Sequence, residues 1–221
     1  MINVVCVKWG DKYSADYVNR LYSMCSRNMP AAFDFYCYTD DTSGIDKVIR
    51  TIPITSGLEG VWPKLDLLNI FTEGETIFFD LDVVILNPLE RLCSVKTRTF
   101  SVLYSQWKEG FVASRARERF PTLYNSSIMK WSGNQGKEVY DYFIKHKEMI
   151  LFKYVGIDRY LFNEPVQVDL LPTSIAYSYW QGVRFLKDTT PEKLRDDYEV
   201  CILNHGPKNS EVDSWVGKYW R

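Results

Sequence analysis

The sequence predicts an α/β protein in which helices flank a central, mostly parallel mixed sheet. Over the first 90 residues, short β-branched or aromatic runs alternate with segments of helical periodicity, the order that typically builds a parallel sheet. The chain has 221 residues, 46% of them apolar, and a chain of this length buries roughly 70% of its unfolded surface. No internal repeat or low-complexity linker divides it. We therefore expect a single domain over residues 1–221.

The first half of the sequence reads as a β-α-β-β-α-β series. The apolar run 2–7 predicts a strand that ends before Gly10 and Asp11. Ser14 is a candidate N-cap for a helix over 15–29, which Pro30 ends. The same patterns predict strands over 33–39, 48–54 and 76–86 and a helix over 62–71. Ligands of such sheets bind beyond the carboxyl ends of the strands, so the functional site is expected at that edge.

The second half is less regular. Alternating or apolar runs predict strands over 100–104, 126–131, 166–171 and 200–203. Residues 136–152 predict one amphipathic helix, and residues 158–162 are ambiguous.

Charge and cysteine content exclude several classes of protein. Lys and Arg (27) nearly balance Asp and Glu (28), so no global field holds nucleic acid or an anionic membrane, and a nucleic-acid partner is not expected. The five cysteines are widely spaced and form no CxxC pair, which disfavours a disulfide scaffold or a zinc knuckle. No segment matches a signal peptide or a membrane span. These features predict a soluble, cytoplasmic protein without a membrane span.

The most informative segment is an apolar run interrupted by Asp80 and Asp82. On a single strand these two side chains lie on one side, with Cα atoms about 6.6 Å apart. Two converging carboxylates need a cation, and oxygen ligands suit Mg²⁺ or Mn²⁺. The alternative is that one Asp pairs with Lys or Arg while the other caps a loop.

Four segments together resemble one family of enzymes. They are the DLD run with FFDLDVVILNPLERL around it, WPKLDLL at 62–68, YNSSIMKW at 124–131 and NHGPK at 204–208. The opening VKWGDKYSADYVNRLY is similar to the first strand and turn of small soluble bacterial and viral members. The sequence thereby resembles the GT-A nucleotide-sugar glycosyltransferases, especially the glycogenin and bacterial galactosyltransferase group, family 8. The resemblance implies a GT-A (Rossmann-like) domain and a UDP-sugar-dependent hexosyltransferase.

The resemblance also implies a metal site and a way to hold the donor. Asp80, Asp82 and His205 would bind Mn²⁺ or Mg²⁺ against the diphosphate of a UDP-sugar, and Lys208 would reach the same diphosphate. Lys64 matches a basic residue that contacts the donor sugar or phosphate and counts among the candidate catalytic residues. The alternative for His205 is a structural histidine held by hydrogen bonds. The alternative for Lys64 and Lys208 is a lysine that faces solvent.

Further positions would contact the donor molecule. Lys8, Trp9, Gly10 and Tyr13 follow the first strand, where the nucleotide-binding turn lies in the family; the alternative for the aromatic rings is a core role. Asn125, Ser126 and Ser127 would hydrogen-bond sugar hydroxyls, or else form an edge-strand polar face. Asp158 lies where the family places a carboxylate near the reacting carbon of the sugar.

The resemblance implies that the two halves of the chain bind different substrates. Residues 1–90 would form the nucleotide-binding half and residues 91–221 the acceptor-side half. The acceptor would be a glycan or glycoconjugate, transfer would retain the anomeric configuration, and the domain is compatible with a larger multidomain parent protein.

Two other functions fit parts of the sequence. A strand followed by DxDxV also occurs in haloacid-dehalogenase-type phosphatases, whose first Asp is the nucleophile. There the motif follows the first strand of the domain, whereas three predicted strands precede it here. The aromatic content, 15% of residues, also suits a non-catalytic module that binds sugars or nucleotides.

Overall fold

The computed structural model of the protein describes residues 1–109, 121–203 and 216–221. Within them, seven strands form one sheet in the order β3-β2-β1-β4-β7-β6-β8, and three more form a smaller sheet in the order β5-β10-β9. The strands are β1 (Ile2–Lys8), β2 (Phe33–Thr39), β3 (Arg50–Pro53), β4 (Glu75–Phe79), β5 (Val83–Ile85), β6 (Ser101–Tyr104), β7 (Tyr124–Ser132), β8 (Asp169–Leu171), β9 (Ala176–Ser178) and β10 (Val200–Ile202). The α-helices are α1 (Ala15–Asn28), α2 (Leu67–Ile70), α3 (Glu90–Ser94), α4 (Lys137–Lys145), α5 (Lys147–Lys153), α6 (Ile157–Asn163), α7 (Pro191–Asp197) and α8 (Val216–Tyr219).

The large sheet is mixed, as predicted. Strands β1 to β4 are mutually parallel, β7 is antiparallel to β4 and β6, and β8 is parallel to β6. Short 3₁₀ turns occur at Trp62–Leu65, Gln106–Lys108 and Gly133–Gly136, and a π-helical turn at Trp180–Leu186. The fold class and the order of the elements in the first half are therefore confirmed.

Two apolar cores lie on opposite faces of the sheet. Successive side chains of a strand point to opposite faces, so Val4 and Cys6 of β1 pack with α1 while Val5 packs with α2 and with α4 to α6. The small sheet belongs to the same core as α1. The large sheet therefore lies between α1 and the small sheet on one face and a group of helices on the other.

The single strand predicted over 76–86 is wrong. Strand β4 ends at Phe79, and the chain turns through Asp80, Leu81 and Asp82 before β5 begins in the other sheet. The runs 76–79 and 83–86 on either side of the turn are buried, so the apolar pattern of the sequence continues across the turn and does not reveal it. The argument that Asp80 and Asp82 share one face of a strand fails with it.

Two smaller predictions for the second half also change. The helix predicted over 136–152 is two helices, α4 and α5, divided at His146, whose backbone has φ −117°. The ambiguous segment 158–162 lies in helix α6. None of the described helices combines the length and the apolar character needed to cross a membrane.

The topology concentrates polar side chains at one edge. Because β1, β2 and β4 are parallel, their carboxyl ends at Lys8, Thr39 and Phe79 lie along the same edge of the sheet. Strand β7 runs the other way and pairs Ile128 with Phe79, so its beginning reaches this edge too.

Candidate functional site

The turn Asp80-Leu81-Asp82 joins the two sheets at this edge. The backbone N–H of Asp80 donates to the carbonyl of Ser127 at 2.9 Å, which continues the β4–β7 ladder. On the other side, the N–H of Leu203 donates to the carbonyl of Asp82 at 3.3 Å. Leu81 is buried and anchors the turn in the core. Both carboxylates are thereby held on a fixed backbone with partial exposure to solvent.

Asp80 forms an ion pair with a buried lysine. The Nζ of Lys64 lies 2.5 Å from Oδ1 of Asp80, and the two side chains are 9% and 23% exposed. Lys64 comes from the 3₁₀ turn Trp62–Leu65, which together with the four-residue helix α2 replaces the single helix predicted over 62–71. Burial raises the pKa of Asp80 above its ordinary value, and the nearby charge of Asp82 raises it further, while Lys64 and Ser127 oppose the rise.

Asp82 has a neutral partner. The hydroxyl of Tyr13 donates to Oδ2 of Asp82 at 2.7 Å. Burial, followed by the charge of Asp82, raises the pKa of Tyr13 well above its ordinary value, so its hydroxyl stays protonated and acts as a donor. Of the described cations, only Lys64 forms an ion pair with either carboxylate of the turn. The pair of carboxylates therefore carries more negative charge than its described neighbours neutralise.

The turn after β1 is held by acidic residues from the end of β2. Lys8 is 5% exposed, and its Nζ lies 3.7 Å from Oδ2 of Asp41. Gly10 has φ +61°, a left-handed conformation that glycine adopts without strain, and its N–H donates to both carboxylate oxygens of Asp40 at 3.2 and 3.0 Å. Trp9 between them is 37% exposed. The turn thus presents an accessible indole ring beside a buried cation.

The beginning of β7 supplies small polar side chains. Asn125, Ser126 and Ser127 are all buried, and Oδ1 of Asn125 accepts from the N–H of Ser127 at 3.0 Å. The N–H of Ser126 donates to Oδ1 of Asp158 at 2.8 Å, and Nζ of Lys108 lies 3.9 Å from the other oxygen of that carboxylate. Helix α6, which begins at Ile157, therefore brings Asp158 to the same edge as the Asp80 turn.

Most of the candidate residues from the sequence thus lie along one edge. Three that take part in its contacts were not among them: Asp40, Asp41 and Lys108. Asp40 and Asp41 directly follow the strand predicted over 33–39, and no motif of the sequence includes them. Lys108 belongs to no motif, and only its 3.9 Å approach to Asp158 identifies it.

Two candidates, His205 and Lys208, lie outside the described residues. Among the residues that are described, no three His, Cys, Asp or Glu side chains form a group that could hold a metal ion. Asp80 and Asp82 nevertheless fit a divalent cation, because they offer hard carboxylate oxygens and only one cation among the described residues balances their two charges. With the described residues, the metal site remains a prediction that needs a further ligand.

Comparison with known proteins supplies structural relatives. Neither a protein-family model nor a curated protein matches the sequence. The structure is similar to that of the galactosyltransferase LgtC in complex with donor and acceptor sugar analogues, with a TM-score of 0.64, 14% identity, and coverage of 98% of this chain and 93% of LgtC. It is also similar to an active-site mutant of LgtC, with a TM-score of 0.66, 11% identity and the same coverage.

Two longer glycosyltransferases share the architecture as well. For GlyE of Streptococcus pneumoniae the TM-score is 0.67 at 14% identity, and the match covers 99% of this chain and 59% of GlyE. For the bifunctional glycosyltransferase WbbM the TM-score is 0.70 at 14% identity, covering 99% of this chain and 48% of WbbM. These likenesses confirm the predicted fold class and its resemblance to glycosyltransferases.

Proposed function

We propose that the protein is a metal-dependent glycosyltransferase that moves a hexosyl group from a UDP-sugar to a glycan or glycoconjugate with retention of configuration. One observation carries the proposal: on a glycosyltransferase fold, the turn at the carboxyl end of β4 holds two carboxylates against a single lysine cation from the described part of the chain. A divalent cation would offset the excess negative charge of the carboxylates, and the same cation would bind a diphosphate. The alternative of a haloacid-dehalogenase-type phosphatase is not favoured, because the matching folds are glycosyltransferases.

The metal would be held by Asp80 and Asp82, with His205 as the further ligand. When bound, Mn²⁺ or Mg²⁺ would offset the negative charge of the departing diphosphate. Lys64, whose Nζ already lies at the turn, would contact the sugar or a phosphate oxygen, and Lys208 would reach the same diphosphate. Tyr13 would fix the rotamer of Asp82 through its 2.7 Å hydrogen bond.

The nucleotide and the sugar would occupy neighbouring parts of the edge. The base would lie beside the exposed ring of Trp9, with Gly10 permitting close approach of the backbone and Lys8 adding positive charge. Nucleotide recognition would then belong to residues 1–90. Residues 91–221 would supply the sugar side through the polar groups at the beginning of β7, Asn125, Ser126 and Ser127.

Asp158 would act near the carbon that reacts. In the transfer, the bond from that carbon to the phosphate oxygen breaks and its electron pair leaves with the diphosphate. A bond to the acceptor oxygen forms, and the proton of the acceptor passes to a donor phosphate oxygen. The contacts of Asp158 with Ser126 and Lys108 fix its carboxylate for stabilising positive charge on the sugar.

Nucleotide binding tests the proposal through thermal unfolding. We expect a shift of about 5–10 °C with UDP at about 100 times its Kd when Mn²⁺ is present, and a much smaller shift with UDP alone or with GDP or CDP. The variant Asp82→Asn should keep the unfolding temperature of the unliganded protein and lose the Mn²⁺-dependent shift.

Asp141→Asn is the matched control for that variant. Asp141 is 56% exposed and pairs with Lys137 on helix α4, so its substitution removes the same charge from the surface. Its Mn²⁺-dependent shift should equal that of the wild type. An undiminished shift in Asp82→Asn would refute the metal assignment, and no shift with any nucleotide would refute the donor assignment.

A further inference from the structure

An apolar face lies exposed beside the candidate site. Thirteen large apolar side chains are exposed in the described part of the chain, and four of them fall within the seven residues 149–155. Phe152 is 95% exposed and Val155 is 81% exposed, whereas the other exposed large apolar side chains of the described part, apart from the N-terminal Met1, are 59% exposed or less. The apolar face consists of Val61, Met149, Leu151, Phe152 and Val155.

The backbone beneath this face is held in place. Ile150 of helix α5 is fully buried, and Tyr154, directly after the helix, is buried with its hydroxyl donating to Glu164 at 2.6 Å. Met149 and Phe152 lie one helical turn apart, so they share a side of α5. Because Ile150 and Tyr154 fix the segment from the protein side, Phe152 is presented outward.

The apolar face borders the proposed catalytic groups. Val155 precedes Asp158 by three residues, and Val61 precedes Lys64 by three. The two parts meet at Gly156, where an added methyl group would lie 3.9 Å from Cγ2 of Val61. A ligand seated on this face would therefore lie next to the sugar side of the site.

Positive charge accompanies the apolar residues. Residues 145–155 contain three lysines, Lys145, Lys147 and Lys153, against one acid, Glu148. Lys153 pairs with Glu164 at 2.7 Å, whereas Lys145 and Lys147 form no ion pair with another described residue. Since the whole chain has a net charge of −1, this positive charge is a local feature that favours an anionic partner.

We propose that this face docks on the surface of a membrane that contains anionic lipids. Lysines that flank exposed Phe, Leu and Met side chains are typical of segments that lie in the membrane interface. A single ring that is almost wholly exposed suits a deformable lipid surface. A second copy of the chain would bring the same lysines together across a two-fold axis. The docking itself is independent of the proposed function. The role of the docking, which is to bring a membrane-borne acceptor to Asp158, rests on the proposed function.

Vesicle co-sedimentation tests the docking. We expect the full chain to bind vesicles of equal parts phosphatidylcholine and phosphatidylglycerol and to bind phosphatidylcholine vesicles weakly. The double variant Phe152→Ser/Val155→Ser should lower the apparent partition constant at least about tenfold. Lys145→Gln and Lys147→Gln should each lower it roughly fivefold and reduce its sensitivity to salt. Leu170→Ser, an exposed apolar side chain of strand β8, is the control and should bind as the wild type does.

The two measurements separate membrane docking from binding of the nucleotide. Asp82→Asn should bind the vesicles normally, and the Phe152→Ser/Val155→Ser variant should keep its Mn²⁺-dependent shift with UDP, so either property can fail alone. Equal vesicle binding by the wild type and the double variant, or no binding by the wild type, would overturn the proposal. So would a wild-type dimer, measured by light scattering, that the double variant fails to form.

Discussion

The two ends of strand β4 carry similar ion pairs with different surroundings. At the amino end, Glu75 pairs with Lys130 at 3.2 Å; at the carboxyl end, Asp80 pairs with Lys64 at 2.5 Å. Both lysines are buried, and both acids are about one quarter exposed. Burial and distance alone therefore do not distinguish a structural pair from a functional one.

The two ends differ in how many hydrogen-bond acceptors surround the lysine. Lys130 also donates to the carbonyls of Leu92 and Cys93 at 2.7 and 3.0 Å, so three acceptors meet its three N–H groups. Among the described residues, Asp80 is the only acceptor for Lys64, whose other contact is the ring of Phe78 at 5.1 Å. At the carboxyl end, Asp82 adds a second acid whose charge acts directly on Asp80. Incomplete pairing and surplus charge thus indicate where a ligand binds.

The largest expected effect on stability is at the amino end. Lys130→Met leaves Glu75 and two carbonyls without their donor, so the free energy of unfolding should fall by about 3 kcal/mol or more. This corresponds to a melting temperature lower by roughly 10 °C. Thermal and urea unfolding measure it. A variant as stable as the wild type would show that the three contacts of Lys130 are not structural.

The corresponding change at the carboxyl end should act mainly on turnover. Lys64→Met removes the cation proposed to contact the donor, so the rate of UDP release should fall by about 10²- to 10³-fold. Its melting temperature should fall less than that of Lys130→Met, because Lys64 has fewer described acceptors. If the two variants lost stability equally and Lys64→Met kept its turnover, the contrast between the two ends would be wrong.

A smaller effect is expected from the neutral partner of Asp82. Tyr13→Phe removes one hydrogen bond of 2.7 Å, a loss of about 1 kcal/mol that weakens binding of UDP with Mn²⁺ roughly fivefold. Calorimetric titration measures this. Tyr22→Phe is a suitable control, because the ring of Tyr22 packs on Phe33 and Phe35 away from the turn. Equal affinities of the two variants for UDP with Mn²⁺ would show that Tyr13 is not part of the site.

The sequence predicts the first part of the fold closely. Strand β2 has the predicted bounds, and β1 and α1 each differ by one residue, because Gly10, Ser14 and Pro30 mark their limits. The turn between β4 and β5 was missed because buried residues flank it on both sides, and an apolar run does not show that a chain changes sheets. The break at His146 has no comparable marker in the sequence.

The candidate site shows the same limit. Motifs identified Asp80 and Asp82, which are neighbours along the chain, and Lys64, which lies within the WPKLDLL segment at 62–68. The contact between Lys108 and Asp158 joins residues 50 positions apart, and it depends on how helix α6 packs on strand β7. Pairings of this kind follow from tertiary structure, so sequence patterns do not reveal them.

Binding of Mn²⁺, followed by electron paramagnetic resonance, tests the central claim most directly. In a titration of the wild type, we expect the signal of free Mn²⁺ to fall sharply when UDP is added and to persist in Asp82→Asn under the same conditions. The control Asp141→Asn should match the wild type. Equal uptake of Mn²⁺ by Asp82→Asn and the wild type in the presence of UDP would contradict the assignment of this turn as a metal and nucleotide site.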